Sequence, residues 1–368
     1  MAKLPIISIL HTGGTISSAV DYRTGAVSPK FSPKDILSMY PGLKDIVSIK
    51  SRLVFQMFSE DMEPEHWLIL AKEVVKEIKK GVDGIIITHG TDTLHYTSAA
   101  LSFMLQDLPV PVLLVGAQRS PDRGSSDAEL NLICASQFIA KSDFSGVGIC
   151  MHGSMEDDYC YIHQGTKVRK LHSSRRDAFQ SVNVLPYAKI KNDDSITFLR
   201  KDYTKKDAKR LVKPYIGFDS RVALLKGRPG LDPRELNFYK SKYKGIVLEG
   251  TGLGQIGVTV MDKYTKKHKK TLQTINSMNK KGIVVIMTSQ TLFGKVNMNV
   301  YSTGRDLQKV GVIPGEDMLP EVAYVKLGWC LSQEKNKEKV KEMMKTNIAG
   351  EIAERIVPGQ DSFDDVSS

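Results

Sequence analysis

Two short segments combine hydroxyl side chains with glycines, each directly after an apolar run. The first is Thr12-Gly13-Gly14-Thr15-Ile16 and the second is Thr88-His89-Gly90-Thr91-Asp92-Thr93. Glycines let the main chain bend sharply and approach a ligand closely, and backbone N–H groups at such a turn can stabilise a developing oxyanion. Taken singly, Thr15, Thr91 and Thr93 could simply cap helices. Two such turns at one sheet edge instead favour a site with a threonine nucleophile.

A threonine hydroxyl is a weak nucleophile, so this chemistry requires a base. Asp92 is adjacent to Thr91, but a carboxylate alone is a poor base at neutral pH. A buried lysine that a carboxylate orients can do this work. Spacing does not choose among the lysines of the chain, so the identity of the base stays open at this point.

The elements that must position these turns are short apolar runs rich in β-branched residues, typical of buried parallel strands. In the first part of the chain they occupy residues 6–10, 84–88, 112–115 and 147–151. Residues 64–80 show apolar side chains at helical spacing, with Asp61 as the expected cap. The alternation of strand and helix predicts a doubly wound α/β fold, in which ligands bind beyond the carboxyl ends of the strands.

A length of 368 residues indicates two or three domains. We predict two doubly wound α/β domains, residues 1–188 with the candidate threonines and a smaller one at 215–368. In the second domain we expect strands at 222–225, 245–249 and 283–288, and helices near 232–239, 261–278 and 321–332. Residues 189–214 are rich in lysine and arginine and have little apolar periodicity, so we predict an exposed basic linker there.

The composition excludes several classes of protein. With 41% hydrophobic and 25% charged residues, the chain is neither disordered nor fibrous. No apolar run approaches the roughly 20 residues of a membrane-spanning helix, and residues 5–10 are too short for a signal peptide. We therefore expect a cytoplasmic protein.

The net charge of +11 suggests a polyanionic partner, with nucleic acid as the first candidate. The basic runs at 200–213 and 263–270, together with Arg175 and Arg176, could contact phosphates. No recognition helix or zinc finger accompanies them, so we expect any such contact to be backbone-directed or indirect.

Cysteine and histidine give little support for a metal site. The four cysteines have no C-x-x-C pairing, and we expect them to be reduced and mostly buried. Cys150, His152, Cys160 and His163 could be drawn as ligands, but zinc sites usually have closer spacing. We therefore expect no metal.

Nucleotide-binding and serine-hydrolase motifs are also weak. The sequence has no G-x-S-x-G elbow and no P-loop. Gly252, Gly254 and Gly257 form one G-x-G-x-x-G, but the next predicted strand ends in Ser289-Gln290, with no acid to hold a ribose.

The two hydroxyl turns resemble the two signature motifs of the asparaginase/glutaminase superfamily. Five further blocks narrow the resemblance to the glutaminase subunits of archaeal tRNA-dependent amidotransferases: HYTSAALSF at 95–103, GAQRS at 116–120, RKLHSSRRD at 169–177, VNMNVYSTGR at 296–305 and MLPEVAY at 318–324. The resemblance covers nearly the whole chain, through 347–352, and implies the asparaginase-type pair of α/β domains.

The resemblance implies roles for individual residues. Thr15 matches the acyl-accepting threonine of the family. Thr91, Asp92 and Lys170 match its Thr-Asp-Lys group, in which Lys170 would deprotonate a threonine hydroxyl while Asp92 orients it. Tyr22, in the flap after the first strand, matches the tyrosine that assists Thr15.

Substrate binding is implied for four more residues. Ser59 and Glu60 match the positions that hold the α-carboxylate and α-amino groups, while Gly14 and Gly90 allow close approach of the main chain. Bacterial asparaginases commonly have Gln where this chain has Glu60, and the full negative charge suits the ammonium group of free glutamine.

The implied reaction is hydrolysis of glutamine to glutamate and ammonia. In the family, a GatE-type partner subunit uses the ammonia, with ATP and Mg²⁺, to convert Glu-tRNA(Gln) to Gln-tRNA(Gln). We expect no cofactor on this chain, a homodimer within a heterotetramer, and contact with tRNA(Gln) through the complex.

Family members usually have a small β-rich domain before the core. Here the first strand begins within ten residues of Met1, so we expect that domain to be missing.

Two other functions remain as alternatives. A free-standing cytosolic L-asparaginase would have the same fold and nucleophile but need no partner; the HYTSAALSF and HSSRRD blocks favour the amidotransferase glutaminase. A tRNA-binding scaffold without catalysis is disfavoured by the intact set Thr15, Thr91, Asp92 and Lys170.

Overall fold

The computed structural model describes residues 3–357, which divide into two compact units. The first unit contains the chain up to Ser181 together with Leu185–Ile216, and the second contains Val182–Val184 and the chain from Gly217 onward. Each unit encloses its own cluster of buried apolar side chains. Both units are α/β, as the alternating pattern predicted.

The strands of the first unit are β1 (Ile6–Gly13), β2 (Ser18–Val20), β3 (Val27–Pro29), β4 (Ser48–Met57), β5 (Gly84–Thr88), β6 (Leu105–Gln106), β7 (Pro111–Val115), β8 (Phe144–His152), β9 (Tyr159–Gln164), β10 (Val168–Lys170), β11 (Phe179–Ser181), β12 (Ala188–Lys191), β13 (Ile196–Phe198), β14 (Thr204–Lys205) and β15 (Lys213–Pro214). Its helices are α1 (Pro33–Met39), α2 (Leu43–Ile46), α3 (Pro64–Lys79), α4 (Leu94–Met104) and α5 (Ala128–Lys141), with 3-10 turns at Thr15–Ser17 and Ser59–Asp61.

The main sheet of the first unit has the order β13-β12-β9-β8-β7-β5-β1-β4, with β14 also paired to β8. The strands β4, β1, β5, β7 and β8 are parallel, as their continuous apolar runs predicted. The strands β9, β12 and β13 add to the β8 edge in antiparallel orientation, which makes the sheet mixed.

The strand order places a switch point beside β1. The chain leaves β1 toward β4 on one side, and it leaves β5, the neighbour of β1, toward β7 on the other. Connections that diverge in this way open a crevice at the carboxyl ends of the two strands. Both hydroxyl turns lie at that crevice.

The predicted basic linker at residues 189–214 is wrong, because this segment folds onto the first unit. Strands β12 and β13 extend the main sheet, and β14 and β15 pair with β8 and β6. Buried Ile190 and the stack of Phe198 on Tyr203, with ring centroids 4.9 Å apart, anchor the segment. Lysines such as Lys205 and Lys213 point from the short strands into exposed ion pairs with aspartates, so the charge marks a sheet edge rather than a linker.

Two helix starts also differ from prediction, for local reasons. Helix α3 is capped by Glu63, not Asp61, because Pro64 occupies the first helical position. In the second unit, the helix expected over 261–278 begins only at His268. Before it, the Asp262 side chain accepts hydrogen bonds from the backbone N–H groups of Tyr264 and Thr265, which competes with helix formation.

The second unit has a parallel sheet in the order β16 (Val222–Lys226), β17 (Gly245–Gly250), β18 (Val284–Ser289) and β19 (Ile313–Pro314). Its helices are α6 (Pro233–Lys242), α7 (His268–Lys280), α8 (Ser302–Lys309), α9 (Pro320–Gln333) and α10 (Lys337–Lys345). The G-x-G-x-x-G glycines follow β17, but α7 starts well after them, so the turn lacks the helix N-terminus of a dinucleotide site.

All four cysteines are free and buried. Two of the residues considered as metal ligands form hydrogen bonds with other side chains: His152 contacts the Asn131 side chain at 2.6 Å, and His163 contacts Ser181 at 2.8 Å.

Within residues 3–357 no helix is long and apolar enough to span a membrane.

A buried ion pair anchors the end of the described chain in the second unit. Lys326 on α9 and Glu351 are both fully buried, with Nζ and Oε1 2.5 Å apart. The ammonium also donates to the carbonyl oxygens of Met344 and Thr346, while the carboxylate accepts from the backbone N–H of Ile348. The block at 347–352 is therefore a structural anchor.

We predict that Glu351→Gln destabilises the second unit by roughly 3–5 kcal/mol, because it leaves a buried ammonium without a counter-charge. The matched control is Glu342→Gln, which breaks the exposed pair between Glu342 and Lys345 and should cost less than about 1 kcal/mol. Denaturant unfolding of both variants measures the difference, and equal, small losses would contradict the prediction.

Candidate functional site

A cavity of about 250 Å³ lies at the carboxyl ends of the parallel strands of the first unit. It is lined by residues that follow β1, β4, β5 and β7, and by one residue of the β2–β3 hairpin: Gly14, Thr15, Val27, Phe58, Ser59, Glu60, Gly90, Thr91, Asp92, Gln118, Ser120 and Arg123. Seven of the nine residues predicted for the site line this cavity. Lys170 reaches two of the lining residues from beside them, and Tyr22 does not line the cavity.

Glycine backbones hold the first two turns together. Gly14 has φ of 76°, and its N–H donates to the carbonyl oxygen of Met57 at 2.9 Å. A Cβ on Gly14 would lie 2.3 Å from the backbone nitrogen of Gly90, and a Cβ on Gly90 would lie 2.8 Å from the Cβ of Ser59. Any side chain at these glycines would therefore separate the turns that bring Thr15, Ser59 and Thr91 to one cavity.

Lys170 forms the predicted group with Thr91 and Asp92. Its Nζ lies 2.7 Å from Thr91 Oγ1 and 2.8 Å from Asp92 Oδ1. The lysine side chain is 9% exposed, whereas that of Asp92 is 65% exposed. The structure thus selects one lysine from the many that the spacing left open.

A hairpin distant in sequence brings Lys170 to the threonine. Lys170 ends β10, opposite Phe179 on the antiparallel strand β11. The following block is tied down by Arg176, which donates to the Asp157 carboxylate at 3.0 Å and to the carbonyl oxygen of Ser125 at 2.6 Å. The sequence block at 169–177 is therefore the support that positions the lysine.

Neutral buried groups support the second turn from behind. Burial lowers the pKa of His89 to about 4 and that of His95 to about 3, so both imidazoles are uncharged at neutral pH. His89 Nδ1 donates to the carbonyl oxygen of Gly90 at 2.7 Å, and its Nε2 accepts from Thr97 at 2.9 Å. Thr97 in turn accepts from the Trp67 indole at 3.1 Å. The block at 95–103 thus fixes the turn that carries Thr91.

The turn after β4 places Ser59 and Glu60 beside the threonines. Ser59 is buried and Glu60 is exposed, and both line the cavity. Thr93 occupies the N-cap position of α4, but its Oγ1 makes no capping hydrogen bond and donates instead to the carbonyl oxygen of Ser59 at 2.6 Å. The Thr93 side chain therefore joins two turns, while its backbone begins the helix.

Thr15 and Tyr22 lie in different surroundings. Thr15 begins a 3-10 turn directly after Gly14 and is half-buried at the cavity. Tyr22 lies in the connection between β2 and β3 and is 81% exposed. The structure therefore does not bring Tyr22 to the cavity with the other predicted residues.

The turn after β7 supplies residues for which the sequence analysis predicted no role. Gln118, Ser120 and Arg123 line the cavity. The turn is held by fully buried Asp127, whose carboxylate accepts from the backbone N–H groups of Gln118 and Arg119 at 2.9 and 3.0 Å. One feature of the sequence could have pointed to these residues. The block GAQRS directly follows the predicted strand at 112–115, which belongs to the same sheet as the two strands before the hydroxyl turns.

The cavity combines charges of both signs in a small volume. Glu60, Asp92 and Arg123 line it, and the Lys170 ammonium lies at Asp92. Such a set suits a small zwitterion beside a hydroxyl nucleophile. In the described part of the chain, no group of three His, Cys, Asp or Glu side chains is placed to hold a metal ion.

Comparison with known families matches both units. Residues 6–203 match the family described as Asparaginase, N-terminal, and residues 221–344 match the Glutaminase/Asparaginase C-terminal domain. Among solved structures, the thermostable L-asparaginase from Thermococcus kodakarensis is 35% identical with a TM-score of 0.82, covering 95% of this chain and 99% of that one. L-asparaginase I from Vibrio cholerae is 27% identical with a TM-score of 0.81 and the same coverage.

Curated relatives show higher identity to this chain. The D subunit of glutamyl-tRNA(Gln) amidotransferase from Pyrococcus furiosus is 50% identical over 351 residues, 95% of this chain and 77% of that protein. The protein of the same name from Methanothermobacter thermautotrophicus is 49% identical over 354 residues, 96% of this chain and 78% of that protein. These matches confirm the resemblance seen in the sequence blocks. The chain belongs to the asparaginase family and, within it, to the D subunits of glutamyl-tRNA(Gln) amidotransferase.

Proposed function

We propose that this chain is the glutaminase subunit of a tRNA-dependent amidotransferase. It hydrolyses glutamine through a threonine nucleophile and supplies ammonia for conversion of Glu-tRNA(Gln) to Gln-tRNA(Gln). The observation that carries the proposal is the contact of Lys170 Nζ with Thr91 Oγ1 at 2.7 Å and with Asp92 at 2.8 Å, beside the cavity that Thr15 lines. A hydroxyl nucleophile, a base and an orienting carboxylate are the three parts that amide hydrolysis requires.

In the first step, the Thr15 oxygen attacks the side-chain amide carbon of glutamine. The hydroxyl proton leaves as the C–O bond forms, and a proton is delivered to the nitrogen as the C–N bond breaks. Ammonia departs, and the glutamyl group stays on Thr15 as an ester. Tyr22 is the proposed proton-transfer partner of Thr15, which requires its exposed side chain to move to the cavity when substrate binds.

In the second step, water hydrolyses the ester. Lys170 is the proposed base: it accepts the proton of the Thr91 hydroxyl across their 2.7 Å contact, and Thr91 takes one from the attacking water. Asp92 holds the amine in place. The bond between the acyl carbon and the Thr15 oxygen breaks, the proton taken up by Lys170 returns through Thr91 to that oxygen, and glutamate leaves.

Substrate recognition follows from the charges at the cavity. We assign the α-carboxylate to the buried turn of Ser59 and the α-ammonium to Glu60, whose carboxylate supplies a charge-assisted acceptor. Gly14 and Gly90, which approach each other through bare backbone, leave room for the substrate close to both threonines.

The names of the relatives support membership of a multi-subunit amidotransferase, and the finer partner assignments rest on the family resemblance. We propose a GatE-type partner subunit that holds ATP and Mg²⁺, a homodimer of this chain within a heterotetramer, contact with tRNA(Gln) through the complex, and a place in the cytoplasm. No cofactor on this chain is needed, because a threonine and a lysine suffice for the hydrolysis.

A free-standing L-asparaginase is the second candidate function. The observation in its favour is the structural match to the L-asparaginase from Thermococcus kodakarensis, with a TM-score of 0.82. The amidotransferase D subunit from the same organism is the relative with which it can be compared. Identity points the other way, at 35% for the asparaginase and 50% for the amidotransferase protein. Because both relatives come from one organism, the difference in identity does not reflect the distance between species, and we favour the amidotransferase function.

We predict that Thr15→Ala lowers glutamine hydrolysis at least about 1,000-fold, because it removes the atom that accepts the acyl group. Thr15→Ser is the control, since it keeps a hydroxyl at the same place and should retain measurable ammonia release. Activity of Thr15→Ala equal to that of the unmodified chain would sink the proposed mechanism.

Tyr22→Phe should lower kcat on the order of 100-fold, the usual contribution of a proton-transfer group. Folding stability should not change, because the side chain is 81% exposed. Tyr264→Phe, at a tyrosine 76% exposed in the second unit, is the matched control and should leave kcat unchanged. Equal kcat for the two variants would remove Tyr22 from the mechanism.

Substrate choice separates the two candidate functions. We predict that the full chain releases ammonia from glutamine in preference to asparagine, and that a second subunit and tRNA copurify with it from the native cell. Ammonia release and mass spectrometry of the copurified material are the measurements. Rapid asparagine hydrolysis by the isolated chain, without a partner, would instead establish the asparaginase.

A further inference from the structure

The hairpin of β2 and β3 carries Tyr22, so the place of this hairpin decides where the tyrosine lies. Its tip is bonded to itself: the Asp21 carboxylate accepts from the backbone N–H of Arg23 at 2.9 Å, and the Asp21 N–H donates to the carbonyl oxygen of Ala26 at 2.8 Å. Val27, at the start of β3, lines the cavity. The tip is therefore a compact turn that moves as one piece.

The bonds at the base of the hairpin do not hold its far end. Each strand has three residues, and a two-stranded hairpin is marginally stable by itself. The N–H groups of Lys30 and Phe31 both donate to the carbonyl oxygen of Ser17 at 3.0 Å. These bonds fix the base, about which the far end can still swing. Holding the far end over the cavity requires a contact from outside the hairpin.

The Asp122 carboxylate supplies such a contact. Its Oδ2 accepts from the backbone N–H of Val20, the last residue of β2, at 2.8 Å and across 102 residues of sequence. Because successive N–H groups of a strand point to opposite sides, the Asp21 N–H faces β3 and the Val20 N–H faces away from it. A carboxylate acceptor makes this bond charge-assisted and about twice as strong as a neutral one.

Asp122 itself lies on a fixed turn at the cavity. It follows β7, between Ser120 and Arg123, which both line the cavity. The Arg123 N–H closes the turn by donating to the carbonyl oxygen of Ser120 at 3.1 Å, and buried Asp127 accepts from the N–H groups at its start. The bond of Asp122 to Val20 therefore joins the hairpin to one wall of the cavity.

We propose that Asp122 is a positioning residue for the reaction, whose carboxylate holds the hairpin of β2 and β3 in place so that Tyr22 can reach Thr15. The inference rests on the proposed function, in which Tyr22 is the proton-transfer partner of Thr15. Tyr22 follows Val20 by two residues, so its Cα stays within about 7 Å of a fixed point. With Val20 held, the tip reaches the cavity by rotation about this point. Without that bond, the far end swings about the base and the productive position is populated less.

Two substitutions at Asp122 test the bond. Asp122→Ala removes the acceptor, whereas Asp122→Asn keeps a carbonyl oxygen for the Val20 N–H and loses only the charge. We expect Asp122→Ala to lower kcat for glutamine on the order of 10-fold, because Tyr22 is in place in a smaller fraction of molecules. Asp122→Asn should recover most of this loss. The thermal unfolding midpoint, measured alongside, should not change in either variant.

Asp193→Ala is the matched control. Asp193 is an exposed aspartate that accepts from the backbone N–H of Ser195 at 3.0 Å, in the turn between β12 and β13. The substitution removes the same kind of bond at a place that does not line the cavity, so kcat should stay unchanged.

A double variant distinguishes positioning of Tyr22 from a general effect on the cavity. If Asp122 acts through Tyr22, adding Asp122→Ala to Tyr22→Phe should lower kcat no further, and the two losses are not multiplicative. Steady-state ammonia release by the full chain, for the two single variants, the double variant and the unmodified protein, measures this coupling.

Trypsin cleavage after Arg23 follows the hairpin without any catalysis. Arg23 is exposed at the tip, and cleavage there depends on how often the hairpin opens. We expect Asp122→Ala to speed this cleavage on the order of 10-fold, while Asp193→Ala leaves it unchanged. Mass spectrometry of the early fragments of the full chain quantifies the rate.

Three results would overturn the inference: full kcat in Asp122→Ala, an undiminished further loss when Asp122→Ala is added to Tyr22→Phe, or unchanged cleavage after Arg23. Full kcat in Tyr22→Phe would also overturn it, because Asp122 would then have no catalytic group to position. The same assay on Thr15→Ala separates this inference from the proposed function. If Thr15→Ala loses activity while Asp122→Ala keeps it, the proposed function stands and only the role of Asp122 falls.

Discussion

The site depends on one close backbone contact, that of Gly14 with Gly90. A single added Cβ at Gly14 would lie 2.3 Å from the nitrogen of Gly90, closer than any packed atom allows. This contact exists because β1 and β5 are adjacent parallel strands whose turns meet at one sheet edge. With a side chain at either glycine, Thr15 and Thr91 would belong to separate loops rather than to one cavity.

Around that contact, the structure separates buried neutral groups from exposed charged ones. Behind the Thr91 turn lie His89 and Thr97, which are buried and hydrogen bonded, and the low pKa of His89 keeps the support uncharged. In front lie exposed Glu60 and Asp92, at the mouth where a charged substrate would enter. Charges placed in the support would require burial without partners, which is costly.

Much of the first unit could be predicted from local pattern. The run at 84–88 is continuous, apolar and β-branched, and it forms β5 with the predicted bounds. The strands within 189–214 could not be predicted in this way, because β12 alternates lysine with single apolar residues, and β14 and β15 are only two residues long. The start of α7 at His268 was missed because Asp262 bonds its own backbone, an effect that helical periodicity does not register.

Residue types and spacing by themselves determined the α/β class, the two hydroxyl turns and the family, because these depend on neighbours along the chain. Spacing did not choose among the lysines, and Lys170 was named only through the family resemblance. The tertiary structure shows the contact itself, because Lys170 reaches Thr91 from a hairpin whose position depends on Arg176, Asp157 and Ser125. It also decided that the Asp122 carboxylate meets the N–H of Val20. Distances between side chains that are far apart in sequence are set by the strand order and by packing, and neither is encoded in local spacing.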